Sequence, residues 1–132
     1  MNYLLDTHSF LWSLFEPAQL SKPAKETIIN TENTIWVSLV SYWEISIKFG
    51  LGKLRLENIS PDHLPRLAKR AGFQTLLLNE NEVSSFFRLP KANHSDPFDR
   101  MIIWQAICRN ITIISKDDDF EPYQLRGLEL MW

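Results

Sequence analysis

Two hydrophobic periods alternate along this chain, and each change of period marks an element. Residues 2–5 are a short apolar run that stops at Asp6, which predicts a strand. From Thr7 the spacing of Phe10, Leu11, Leu14 and Phe15 suits a helix. Ser21 as cap and Pro23 in the first turn predict a second helix running to about Asn30. The β-branched and aromatic run Thr34-Ile35-Trp36-Val37 predicts a buried strand. A helix is expected over residues 41–49, with Ser41 and Glu44 in capping-box spacing and Gly50 and Gly52 as stops. Residues 54–59 read as a connection, and Ser60-Pro61-Asp62 caps a helix reaching Arg70.

The second half repeats the alternation. Residues 73–78 predict a third strand, and Asn79 begins a helix carrying Val83, Phe86 and Phe87 that closes before Pro90. A polar loop over residues 91–95 leads to Asp96-Pro97-Phe98-Asp99, where acid caps and Pro at the first helical position open a helix that runs to Arg109 and stops at Asn110. Residues 111–114 are the clearest strand, and residues 128–130 predict an edge strand. Strands alternating with helices make the class α/β, with a mostly parallel sheet covered on both faces.

This topology gives the acids a location. Ligands of such sheets sit outside the carboxyl ends of the strands. Asp6 and Asp117 each follow a predicted strand, Asp99 lies in the first turn of a helix starting at the same edge, and Glu44 lies in the first turn of the helix after the Trp36 strand. Four carboxylates from distant segments are therefore expected on one rim.

Composition narrows the classes. A chain of 132 residues with 45% apolar and 23% charged side chains fits one domain spanning residues 1–132. No apolar run approaches the roughly 18 to 20 residues of a membrane span. The N-terminus lacks the layout of a secretory signal and Cys108 has no partner for an intrachain disulfide, so the cytoplasm is the expected compartment. With a net charge of −2, contact with nucleic acid has to be local.

Two carboxylates about 4 Å apart repel by roughly 4 kcal/mol at an effective dielectric near 20, so such a rim needs protons or cations. Mg²⁺ or Mn²⁺ suits carboxylate and water oxygens; zinc does not suit one Cys and the scattered His8, His63 and His94. A carboxylate-held divalent cation is suited to phosphodiester hydrolysis, and it also relieves repulsion between the acids and a phosphate polymer.

The segments Leu4-Leu5-Asp6-Thr7-His8, Ser41-Tyr42-Trp43-Glu44, His94-Ser95-Asp96-Pro97-Phe98-Asp99-Arg100 and Ser115-Lys116-Asp117-Asp118-Asp119 resemble, in order, the motifs of PIN-domain proteins, and within them the VapC-type toxins of bacterial toxin–antitoxin systems. The resemblance covers nearly the whole chain. It implies a three-layer α/β/α sandwich, a Mg²⁺- or Mn²⁺-dependent endoribonuclease and a small antitoxin partner. By the same resemblance Asp6, Glu44, Asp99 and Asp117 form the acidic quartet, with Asp6 and Asp99 as direct metal ligands. Ser115 stands where a Thr is common, three consecutive Asp leave Asp117 and Asp118 in competition, and Trp104 stands where small residues are frequent.

Plainer readings stand beside these. Glu44 also reads as the capping-box partner of Ser41, Asp96 as a helix cap before a ligand, and Asp118 and Asp119 as a solvated turn. His8 and His94 flank the acids without entering the catalytic set. Lys48, Lys53 and Arg55 read either as one wall of a phosphate groove or as a solvated face. The five Trp read mostly as core, with room for an interface to an antitoxin or a second copy. The alternatives to a nuclease are a non-catalytic metal-binding regulatory module of the phospho-receiver kind and a PIN domain that only binds RNA or a partner.

Overall fold

Five short strands, β1 (Asn2–Leu5), β2 (Thr34–Ser38), β3 (Gln74–Leu76), β4 (Thr112–Ile114) and β5 (Leu130–Met131), form one sheet in the order β3-β2-β1-β4-β5 with every neighbouring pair parallel. The computed structural model describes residues 1–92 and 94–132; Asn93, inside the loop expected over residues 91–95, lies outside the described residues. Helices α1 (Thr7–Phe15), α2 (Lys22–Ile29), α3 (Leu39–Gly50), α4 (Leu64–Arg70), α5 (Glu80–Ser85) and α6 (Pro97–Arg109) connect the strands, and a 3₁₀ segment over Asp118–Arg126 leads into β5.

Side chains of a strand alternate between faces, and here both faces are buried. Leu4 and its register partner Ile113 join one core, with Leu76, Ile102, Ile103, Ala106 and Phe120. Leu5 and Ile114 join the other, with Phe10, Ala24, Val37, Ile45 and Leu64. Fully burying each such side chain contributes roughly 1.5–3 kcal/mol, which sets strand register firmly because a one-residue slip exchanges the two cores. The chain runs outward through β1, β2 and β3, then returns across the sheet to β4, so the order reverses between β1 and β4. That switch point is where an open parallel sheet leaves a crevice at its carboxyl edge.

The structure corrects several boundaries. Helix α3 begins at Leu39, not Ser41, because Ser38 ends β2 in an extended conformation and its hydroxyl caps the Val40 amide at 3.0 Å. Glu44 thus falls in the second turn and is not a capping-box partner of Ser41. Strand β3 spans only Gln74–Leu76, and β5 lies at Leu130–Met131, beyond the expected 128–130. Helix α5 ends at Ser85, so Phe86 and Phe87, expected on it, fall in a 3₁₀ turn that follows. Phe86 packs against the core, but Val83 (53% exposed) and Phe87 (78%) face outward while Glu82 (3%) is buried, since it forms a capping box with Asn79 and pairs with Arg109. None of the five Trp is fully buried, and Trp43 is 62% exposed. Among the described residues no helix is long and apolar enough to cross a membrane.

Candidate metal centre

The crevice between β1 and β4 is closed by a hydrogen-bond relay. Asp6, the first residue after β1, caps α1 by accepting from the Ser9 amide at 2.8 Å through Oδ1. Its Oδ2 accepts from the Ser115 hydroxyl at 2.6 Å, and Ser115, the first residue after β4, accepts in turn from the Asp117 amide at 3.0 Å. Asp6 is almost wholly buried, and burial raises its pKa above the ordinary carboxylate value against the opposing pull of the Ser115 and Ser9 hydrogen bonds. Asp117 caps the following 3₁₀ segment through the Asp119 amide at 2.9 Å. Asp6 and Asp117 face a shared cavity of about 490 Å³ together with His8, Trp12, Lys116, Asp118 and Asp119.

A second arm of the site comes from α3 and α6. Asp96 is the N-cap of α6, accepting from the amides of Phe98 (2.8 Å) and Asp99 (3.3 Å), which fixes Asp99 in the first turn. Asp99 Oδ2 lies 2.8 Å from His94 Nε2, and the other ring nitrogen of His94 lies 3.5 Å from Asp119. Burial, and then the nearby charges of Asp96 and Glu44, push the Asp99 carboxyl up to about 6 against the opposing His94 hydrogen bond. Glu44 is buried on α3. Its Oε1 accepts from the Thr7 hydroxyl at 2.6 Å, Thr7 lies 2.9 Å from the Ser41 hydroxyl, and its Oε2 pairs with Lys48 one turn on. Lys48 also stands 4.0 Å from Asp96. Partial burial works against the Lys48 ammonium, but the hydrogen bond and charge of Glu44, with Asp96 and Asp99, outweigh it and raise its pKa.

These arms meet at Asp99. Donor atoms of His94, Asp99 and Asp117 lie within 4.8 Å of one another, as do those of Glu44, Asp96 and Asp99. Asp6 belongs to neither group and meets Asp117 across the cavity. The expected rim is therefore spread along the edge rather than gathered in one cup: Asp117 and Glu44 each come close to Asp99, and Asp6 shares a cavity with Asp117. Its chemistry fits a hard divalent cation: the donors are carboxylate oxygens, each with a lone pair free after the hydrogen bonds above, and Asp99 stays protonated to a higher pH than an ordinary carboxyl in the absence of positive charge. The sequence reading missed His94, Thr7 and Ser115 as partners of the acids, and Ser41, expected beside Glu44, bonds Thr7 instead; the hydroxyl directly after Asp6 and the hydroxyl two before Asp117 were the available signals. Of the basic trio, Lys48 is tied to Glu44 and Arg55 lines a cleft beside His8 and Trp12, which Lys53 does not join.

The sequence profile of the PIN domain matches residues 3–124. No curated relative matches the chain. Solved structures similar to it include VapBC2 of Rickettsia felis bound to a DNA fragment from its promoter, at 16% identity over 99% of this chain and 98% of that chain with a TM-score of 0.68. DNA-bound VapBC of Salmonella typhimurium is similar at 14% identity, 99% and 97% coverage and a TM-score of 0.68. VapBC-5 of Mycobacterium tuberculosis, a member of the VapBC family of toxin–antitoxin systems, is similar at 20% identity, 98% and 97% coverage and a TM-score of 0.63. At these identities the likeness is one of fold.

Proposed function

This chain belongs to the PIN-domain family, and from that premise we propose that it is a Mg²⁺- or Mn²⁺-dependent endoribonuclease and the toxin of a toxin–antitoxin pair. PIN domains are generally nucleases that use divalent metals. The observation that carries the reading is the meeting of Asp99 with both Asp117 and Glu44 at the carboxyl edge of the sheet, beside a cavity floored by Asp6. Asp6, Glu44, Asp99 and Asp117 would hold the cation. Bound there, it supplies a water of lowered pKa and neutralises charge developing on the phosphate.

The remaining roles belong to the chain's own groups. Ser9 and Ser115 orient Asp6, Thr7 and Lys48 orient Glu44, and the Asp96 cap with His94 orients Asp99. Exposed Lys116, at the rim of the acid-lined cavity, is placed to meet a substrate phosphate. The antitoxin is proposed from the fold shared with VapBC proteins. The exposed Leu39, Trp43, Leu77, Val83 and Phe87 supply apolar surface for it or for a second copy of the chain.

The test is RNA cleavage by antitoxin-free protein with Mg²⁺ or Mn²⁺, abolished by EDTA, together with growth arrest on expression that the neighbouring reading frame relieves. RNA left intact across sequences and metals, with indifferent growth, refutes the reading. A second reading, a module that binds RNA or a partner without turnover, is favoured by one feature: Lys48 and His94 already pair with Glu44 and Asp99. Calorimetric titration separates the two, because the nuclease takes up Mg²⁺ and the self-neutralised module does not.

A further inference from the structure

A cleft larger than the acid-floored cavity, of about 720 Å³, lies beside α1, lined by His8, Leu11, Trp12, Phe15 and Glu16 and by Arg55, Leu56, Glu57 and Asn58. His8 and Trp12 also line the acid cavity, so the two spaces adjoin at α1. We propose that this cleft, built around Trp12 and Arg55, is a base-binding subsite that takes an unstacked RNA base next to the phosphate being cut. The proposal rests on the ribonuclease reading and adds to it where the substrate lies.

The chemistry of the walls selects the occupant. Two carboxylates, Glu16 and Glu57, line the cleft against the single Arg55, so it disfavours a phosphate while offering acceptors and donors to the edge of a base. Trp12 offers an aromatic face, and base–aromatic stacking is how single-stranded RNA is held without dependence on backbone charge. The His8 ring lies 5.6 Å from the indole and the Trp132 ring 6.0 Å from it, both tilted. The volume lies within the roughly 300–1,000 Å³ of small-ligand sites, enough for a nucleoside. The adjoining acid cavity then takes the sugar–phosphate of that nucleotide toward Asp6 and Lys116. A peptide of a protein partner is the competing occupant: Leu11, Phe15 and Leu56 give it apolar contacts but no strand edge, whereas Arg55, Glu16, Glu57 and Asn58 beside Trp12 suit the donor and acceptor edge of a base.

The test uses short phosphorothioate-linked single-stranded RNAs, which resist hydrolysis, with the full-length protein in Mg²⁺. Trp12→Ala is expected to weaken binding, read by fluorescence anisotropy, roughly tenfold, and Trp12→Phe to retain most of it. Arg55→Ala, at an exposed position where the fold is insensitive, is expected to weaken binding severalfold. In the unaltered protein, 4-thiouridine in the RNA is expected to photo-cross-link to peptides containing residues 8–16 or 55–58. If RNA is bound and cut but Arg55→Ala binds as tightly as wild type and the cross-links map elsewhere, the subsite is refuted while the ribonuclease reading stands. If no RNA is bound or cut with either metal, both fall together. Protection of residues 8–16 and 55–58 from hydrogen exchange by the neighbouring frame's protein, with none from RNA, assigns the cleft to that protein and overturns the proposal.

Discussion

Ser115 donates its hydroxyl hydrogen to Asp6 across a separation of 109 residues, and in doing so ties the ends of β4 and β1 together at the floor of the site. Ser115→Ala leaves that buried carboxylate oxygen short of a partner. The expected loss is about 1 to 3 kcal/mol of unfolding free energy by urea denaturation, with weaker Mg²⁺ uptake. Ser115→Thr keeps the hydroxyl and is expected to stay near wild type in both measurements.

Asp99→Asn separates stability from chemistry. The amide keeps the volume and can still face His94, but it carries no charge beside Asp96 and Glu44. RNA cleavage is expected to vanish, while the melting temperature of metal-free protein at pH 8 stays level or rises. A fall in melting temperature with cleavage retained contradicts the account of this residue.

The same group sets a pH dependence. Asp99 is pushed up to about 6 in the folded state from an ordinary 3.8, so its contribution to stability is complete below about pH 4 and is lost as pH rises through 6. The loss amounts to at most about 3 kcal/mol. Burial moves Asp6 in the same direction. Metal-free protein is therefore expected to melt lower at pH 8 than at pH 5 through these groups. Added Mg²⁺ is expected to raise the melting temperature at pH 8 and change it little at pH 5; scanning calorimetry with and without EDTA checks both.

Glu82 has the opposite sign. The Arg109 guanidinium, through its hydrogen bonds, holds the Glu82 carboxyl below its ordinary value despite partial burial. Its stabilisation is present above about pH 4.5 and lost as pH falls through its folded-state value. Arg109→Ala removes this brace between α5 and α6 and is expected to cost about 1 to 3 kcal/mol at pH 7, less at pH 4, without altering RNA cleavage. Urea unfolding at the two pH values and a cleavage assay give the comparison.

The order of elements was readable because period changes coincide with strong local signals: Ser21 and Asp96 cap as their spacing predicts, and Asn110 stops α6 in the left-handed conformation. The placement of the acids at one edge followed from Asp6 and Asp117 coming directly after strands and Asp99 opening a helix. What local reading missed depends on partners far along the chain. Ser41 looks like a cap but faces Thr7, Glu82 looks like a solvated acid but meets Arg109, and His94 gains its meaning only when the loop before α6 brings it to Asp99. The tryptophans were legible as mostly core: Trp12, Trp36, Trp104 and Trp132 pack against the two cores while partly open to solvent, and Trp43 alone of the five is exposed.

The return from β3 across the sheet to β4 has a consequence for synthesis on the ribosome. Asp6, Thr7 and Glu44 emerge well before Asp99 on α6 and Asp117 after β4. A nascent chain that has exposed only β1 to β3 therefore lacks two of the four acids, so any hydrolytic activity awaits the emergence of α6 and β4.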